Sequence, residues 1–292
     1  MKRCLTCLAE FSGPAWICPH CDSAPQSIGG VLAFAPELAL ENDGMAPDAH
    51  HALDQVQHRS FWFRSRSRLL VEMARRYFPE TRALLEIGCG TGYVLSALAK
   101  ALPHARIVGS EIYANGLDYA KRRLDSRAEL FQMNAEAIPF VSEFDLIAAC
   151  DVLEHVENDR HVLSEIYRAL QPGGGIILTV PQHPFLWSQS DEIACHKRRY
   201  RTKELREKAR EAGFTILRDT SFVTMLLPIL VLQRLTKGRR KDYDTEAEFS
   251  LPRWLDHALE KPMTFDRQLI KLGIELPAGG SRMIVAIKRK DS

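Results

Sequence analysis

Four cysteines fall within the first 21 residues as two pairs, Cys4-Leu-Thr-Cys7 and Cys18-Pro-His-Cys21. Thiolates at this spacing can close a tetrahedral zinc site, and so short a segment has little core without one. With Cys4, Cys7, Cys18 and Cys21 filling all four positions, such an ion is structural rather than catalytic. A second signal is Leu84-Leu85-Glu86-Ile87-Gly88-Cys89-Gly90-Thr91-Gly92, an apolar strand running into three glycines. Glycine permits a tight turn and leaves bare backbone for a ligand to lie against. Glu86, at the strand's end, can meet a cationic amino group. Glu111, closing the next strand, can accept a pair of ribose hydroxyls. A third is Asp151-Val-Leu-Glu154-His155. An imidazole titrates near neutral pH, which makes His155 a candidate general base. Alternatively, Asp151, Glu154 and His155 could hold a divalent metal, or Glu154 and His155 could merely cap the next helix. Finally, Pro181-Gln-His183-Pro-Phe-Leu-Trp187 and Asp191 to His196-Lys-Arg-Arg-Tyr200 mix aromatic faces with donors. His183, Trp187, Arg199 and Tyr200 suit recognition of a polar or anionic acceptor, and His196 is a further catalytic candidate.

Alternating strands and helices must carry these groups. The pattern predicts strands at Arg82–Ile87, Arg106–Ser110, Glu129–Met133, Phe144–Ala149, Ile176–Val180, Phe214–Val223 and Met283–Lys288. Helices are expected at 56–78, Tyr93–Ala101, Ala114–Leu124, Asp159–Leu170 and Thr202–Ala212, with Pro172 to Gly175 as a stop and Thr202 as an N-cap. Such alternation means a parallel sheet covered on both faces. Three units follow: a ribbon at 1–28, a mainly loop linker at 29–55, and an α/β domain at 56–292. A helical insertion or substrate cap occupies 224–280, before the last strand.

The segment Glu86-Ile-Gly-Cys-Gly-Thr-Gly92 resembles the first motif of the class I S-adenosylmethionine (SAM)-dependent methyltransferases. The likeness runs on through Ile107 to Glu111, Asn134-Ala-Glu-Ala-Ile-Pro-Phe140, the stretch from Phe144 to Val156 and Leu170-Gln-Pro-Gly-Gly-Gly175. It implies a Rossmann-like sheet of seven strands with a reversed last strand. It also implies SAM contacts from Gly88, Gly90, Gly92, Glu86, Glu111, Asn134, Ala135 and Asp151, and from Arg64 or Arg68 on a helix covering the cofactor. Asn134 stands where the family usually has Asp. The Asp151-x-x-Glu-His155 spacing is similar to that of ubiquinone-pathway O-methyltransferases, where it is associated with a divalent metal.

The chain has 292 residues, 26% charged and 46% hydrophobic, with net charge +2. So small a charge argues against nucleic acid, although a zinc ribbon ahead of such a domain also resembles certain ribosomal-RNA guanine methyltransferases. Clustered cysteines and the lack of a leader or a span of ~20 apolar residues point to the cytoplasm. Phe222 to Leu235, followed by Lys237-Gly-Arg-Arg-Lys241, could line a greasy pocket or make peripheral membrane contact. The expected activity is methyl transfer to a small-molecule, glycan or lipid-linked acceptor, at oxygen if His155 is the base. RNA methylation and a non-catalytic SAM-binding adaptor are the alternatives.

Overall fold

The computed structural model describes residues 1–39, 49–236 and 251–290. Two short strands, β1 (Lys2–Arg3) and β2 (Glu10–Phe11), form the ribbon's own sheet. A hairpin, β3 (Gln26–Ile28) and β4 (Val31–Ala33), follows, then α1 (Ala49–Val56) and α2 (Phe61–Tyr77). The α/β alternation comprises β5 (Ala83–Ile87), α3 (Tyr93–Ala101), β6 (Arg106–Glu111), α4 (Ala114–Leu124), β7 (Ala128–Gln132), β8 (Phe144–Cys150), α5 (Asp159–Ala169) and β9 (Leu170–Pro181). Next come α6 (Gln189–Ile193), α7 (Glu204–Glu211), β10 (Thr215–Phe222), α8 (Leu227–Thr236), α9 (Arg253–Lys271) and β11 (Ser281–Ile287).

The main sheet runs β10-β11-β9-β8-β5-β6-β7-β4-β3. Strands β5 to β9 are parallel, and β11 is antiparallel to both β9 and β10. This is the expected seven-stranded sheet with its reversed strand. The hairpin adds two more strands on the β7 edge, so the segment read as loop linker is partly sheet. Its β4 pairs parallel with β7, Leu32 opposite Phe131 and Ala33 opposite Gln132.

Successive side chains of a strand face opposite ways, so one sheet buries two cores. Leu84, Ile107, Leu146, Ile177 and Met283 pack with α2, α3 and α4 on one face. Leu85, Val108, Ile147, Ile176 and Ile284 pack with α5 and α7 on the other. The expected stop at Pro172 to Gly175 lies within β9 instead. A Cβ on Gly175 would lie 2.3 Å from the Phe78 ring and 2.5 Å from the Ala286 carbonyl, so glycine lets the strand pass beneath Phe78. Helix α7 is capped by Lys203 rather than Thr202, whose hydroxyl accepts from Gln182 Nε2 at 3.3 Å.

The ribbon is fastened to the domain. The amino group of Met1 donates to the Val141 carbonyl at 3.0 Å and pairs with Glu143 at 2.6 Å. Lys2 bridges antiparallel to Phe140. Trp16 meets Phe34, Phe140 and Phe131 edge-on, with ring centroids 4.7, 5.3 and 5.9 Å away. The Gln132 side chain accepts from Ala35 N and donates to the Ala35 and Ile112 carbonyls.

The insertion between β10 and β11 is helical in its described parts, α8 and α9. Helix α9 lies on α2: Arg64 pairs with Asp256 and Glu260 at 2.5 and 2.7 Å, and Asp256 accepts from Phe61 N. Lys237 to Lys241 lie outside the described residues.

Candidate active site

Glu86, Glu111 and Asp151 stand at the carboxyl ends of neighbouring parallel strands, where open α/β sheets form their sites. Gly88 has φ +67°, and a Cβ there would lie 2.5 Å from Val152 Cγ2, so the loop needs glycine for conformation and for room. A Cβ on Gly90 would meet nothing within 4 Å, which leaves bare backbone beside open space. Gln57, just past α1, accepts from Thr91 Oγ1 at 2.6 Å. The helices before β5 thus reach over the glycine loop.

Glu86 is 2% exposed, and its Oε2 has no hydrogen-bond partner. Burial, opposed by nearby Arg66, pushes its carboxyl up to about 8. Glu111 accepts from the backbone N–H of Gly90 and Ile112 at 2.9 and 2.8 Å. Asn134 accepts from Glu136 N at 3.0 Å, and Ala135 beside it is buried. An unpartnered carboxylate oxygen on Glu86 and the open backbone at Gly90 fit a ligand with an ammonium group and a ribose. If Glu86 meets the SAM ammonium, affinity should climb towards about tenfold per pH unit below about 8, because the ionised carboxylate is what the ammonium favours. Calorimetric titration of SAM against pH measures this, and Glu86→Gln should flatten it. A flat wild-type profile would remove Glu86 from cofactor binding.

Arg64 is not at this pocket, being tied to Asp256 and Glu260 on α9. Arg68 likewise pairs with Glu260. The arginine that reaches the site is Arg66, 8% exposed, pairing with Asp151 and lying 4.2 Å from the Trp62 ring centroid. Helical phase could have identified it, since Arg66 is four residues from Trp62 and Leu70, on the inward face. Asp151 also accepts from Thr179 Oγ1 at 3.0 Å.

That placement changes the expected metal set. Glu154, His155 and His196 bring their ligand atoms within 4.8 Å of one another, and Asp151 is not among them. Glu154 is fully buried with both carboxylate oxygens unpartnered. Burial, then the Asp151 charge, push it well above the usual carboxylate range. His155 lies in a turn rather than capping α5, whose N-cap is Asn158. Burial and neighbouring His196 lower His155 to about 4, so it is neutral at physiological pH. The two rings meet edge-on, with centroids 4.7 Å apart.

Asp191, which sequence reasoning used only as a segment boundary, organises the segment after β9. It is 1% exposed and accepts from His196 Nδ1 at 2.9 Å, Arg199 Nε at 2.7 Å, and Ser188 N and Oγ at 2.8 and 2.9 Å. These donors outweigh burial and hold its carboxyl far below the usual range. In its neutral form, with Nδ1–H on Asp191, the His196 ring offers Nε2 as an acceptor. His183 stacks on Phe185 at 4.9 Å, and Trp187 is 37% exposed. Tyr200 departs from its expected place on the acceptor surface. It is fully buried, its hydroxyl donating to Asp159 at 2.6 Å, and it anchors the segment.

In the ribbon, Cys4 Sγ lies 3.6 Å from Cys21 Sγ, and Cys7 Sγ lies 3.6 Å from Cys18 Sγ. Tetrahedral zinc with bonds of roughly 2.3 Å needs sulfur separations of roughly 3.8 Å. Backbone N–H groups of Cys7 and His20 point at Cys4 and Cys18 sulfurs, as suits thiolates. The four residues fit zinc without the His20 ring.

Residues 85–178 match the model of a family described as methyltransferase domain. A biotin biosynthesis bifunctional protein of Teredinibacter turnerae is 30% identical over 176 residues, covering 54% of this chain and 31% of that protein. A demethylmenaquinone methyltransferase of Lactococcus lactis is 33% identical over 110 residues, covering 36% and 44%. The chain thus spans less than half the length of these curated relatives. Phosphoethanolamine N-methyltransferase 2 of Haemonchus contortus shares the fold at TM-score 0.56 and 19% identity, over 90% of this chain and 62% of that one. So does a structure described as a complex of a Haloferax volcanii methyltransferase with its Trm112 activator, at TM-score 0.55 and 19% identity, over 82% and 96%. Sheet order, glycine loop, strand-end acids and the match over residues 85–178 agree in supporting a SAM-dependent methyltransferase domain of class I type.

Proposed function

We propose that this protein transfers the methyl group of SAM to an oxygen of a small-molecule, glycan or lipid-linked acceptor, with His196 as the base. The observation that carries it is the buried Asp191 hydrogen-bonded to His196 Nδ1, on the segment that follows β9 at the site's edge. SAM supplies an electrophilic methyl on sulfur. The chain's task is then alignment, exclusion of water and removal of the acceptor proton. Glu86 and Glu111 hold the amino-acid and ribose ends, and Asn134 and Ala135 border the adenine. Arg66 fixes Asp151 beside them and takes over the cofactor role expected of Arg64. His196 Nε2 accepts the acceptor's proton, and Asp191 stabilises the resulting imidazolium. His155, held neutral, packs against that ring. His183, Trp187 and Arg199 line the acceptor side. Zinc on Cys4, Cys7, Cys18 and Cys21 is structural.

A second reading places a divalent ion on Glu154, His155 and His196; the two unpartnered oxygens of buried Glu154 favour it. In either case no helix among the described residues is long and apolar enough to cross a membrane.

Transfer of radiolabelled methyl from SAM into cell extract tests this, with organic-soluble, water-soluble, RNA and protein pools counted separately and a parallel reaction in EDTA. Label in the organic or water-soluble pool is expected. Label confined to RNA would replace this reading with the ribosomal one, and SAM binding without label in any pool would favour the adaptor. Loss of label in EDTA, restored by magnesium or manganese while the ribbon's zinc content is unchanged, would support the metal reading.

A further inference from the structure

Helix α9 is occupied on one side only. Met263 and Ile270 are buried on its inward side, Asp256 and Glu260 hold Arg64 of α2, and Arg267 pairs with Glu72. Steps of three and four residues put Trp254, Ala258, Lys261, Phe265 and Leu272 on the opposite side. Trp254, Phe265 and Leu272 are 72, 53 and 77% exposed, and Ile274, just past the helix, is exposed too. A row of large apolar side chains in water, on a helix that already has a buried side, marks a contact surface.

Charge is sorted across the same helix. Its three acids all turn inward: Asp256 and Glu260 to Arg64, and Asp266 to the backbone N–H groups of Thr224 and Met225. The exposed charges are basic, Arg253, Lys261 and Lys271. Arg76 of α2 donates to the Lys271 carbonyl at 2.6 Å and adds another exposed cation at that end. The one exposed acid between residues 251 and 276 is Glu275, beyond the helix.

We propose that the outer face of α9 is a docking surface for an anionic lipid bilayer, with the helix lying in the interface plane. The cations meet lipid phosphates while Trp254, Phe265 and Leu272 enter the acyl boundary, a depth that suits tryptophan. Lys261 decides against a second copy of the chain. It lies near the middle of the stripe, between Trp254 and Leu272, so a two-fold axis through this face would bring two Lys261 ammonium groups together with no outward carboxylate on the helix to pair them. On a bilayer the same side chain lays its stem along apolar surface and lifts its ammonium to the phosphates. The stripe is also one side chain wide and offers a few hundred Å², where a standard protein interface buries about 800 Å² per partner. Residues 237–250 lie outside the described residues and carry four basic and four acidic side chains. They have no net charge, so the sign of this face comes from α9 and α2. Docking through α9 holds whatever the acceptor is.

Sedimentation of the full chain with vesicles of phosphatidylglycerol and phosphatidylcholine, beside vesicles of phosphatidylcholine alone, tests the surface. Wild-type protein should sediment with the anionic vesicles, and more weakly as salt rises. Phe265→Glu with Leu272→Glu should lower the partition coefficient at least about 100-fold. Tm and SAM affinity should not change, because neither side chain faces the core. Lys261→Ala with Lys271→Ala should lower binding to the anionic vesicles about 20-fold and leave binding to phosphatidylcholine unchanged. Glutamates that leave sedimentation at the wild-type level would overturn the proposal. So would a lipid-free dimer, seen by analytical ultracentrifugation, that Lys261→Ala tightens; the face would then belong to a second copy. Wild-type protein that stays in the supernatant would overturn it as well. If a variant with residues 238–249 replaced by Gly-Ser repeats then sediments, that stretch of the chain is the occupant.

Discussion

Alanine at His196 is expected to reduce kcat between about 10² and 10⁴-fold, with little change in SAM affinity, once the acceptor is in hand. The imidazole is held by a carboxylate that also binds Arg199 and caps its own short helix through Ser188. His196→Ala keeps that carboxylate satisfied by its other donors, so the fold should survive. Exogenous imidazole should restore part of the rate if the ring moves a proton. Asp191→Asn should lose activity too, and also some stability, because it weakens three contacts of a buried group. An unchanged kcat in His196→Ala would remove the base from the scheme. A loss that imidazole cannot restore, accompanied by loss of a bound divalent ion, would move His196 from base to ligand.

Removing zinc from the ribbon is expected to produce the largest loss of stability. Structural zinc in small ribbons contributes apparent binding energies of about 10–16 kcal/mol, most of it as folding energy. Without the ion, the loop that presents Trp16 to Phe34, Phe131 and Phe140 loses its closure, and the β3–β4 hairpin beside β7 loses the aromatic packing that backs it. Losing an aromatic anchor of this kind costs about 3–5 kcal/mol in the main domain, which corresponds to roughly 10 °C in Tm for a domain of this size. SAM affinity should fall as well. Gln132 ties Ala35 to the Ile112 carbonyl, next to Glu111, and the Phe140 cluster ends the Asn134 segment. Calorimetric melting and SAM titration, with and without chelator and in Cys4→Ser, Cys18→Ser, measure both effects. Equal Tm and SAM affinity with and without metal would mean that the ribbon is an independent appendage.

The glycine loop, the strand-end acids and the cysteine knuckles were legible because each is local. Their chemistry follows from residue type and short spacing, and the structure places Glu86, Gly88, Glu111 and Asp151 where strand reading expects. The Asp191 hub and the buried Tyr200 were not legible in that way, and Arg66 only through its helical phase. Each depends on which way a side chain turns after long-range packing. Arg64 is drawn to Asp256 and Glu260 nearly 200 residues on, which leaves Arg66 for Asp151. The β3–β4 hairpin escaped for a related reason. Its strands are three residues each and carry no alternating pattern long enough to read; pairing with β7 is what makes them strands.

That hairpin also bears on how the chain behaves before it is finished. In the parallel sheet β7 would be an outermost strand, with a row of free N–H and C=O groups able to recruit a strand from another molecule. Here β4 occupies that edge, and β3 beyond it is too short to offer much of a template. Residues 26–33 leave the ribosome about 100 residues before β7. If the four cysteines take zinc, a metal-folded ribbon carrying this hairpin is waiting when the vulnerable strand emerges. Under zinc limitation the same strand emerges uncovered, and the expected fate of the chain is self-association during translation rather than slow loss of activity afterwards.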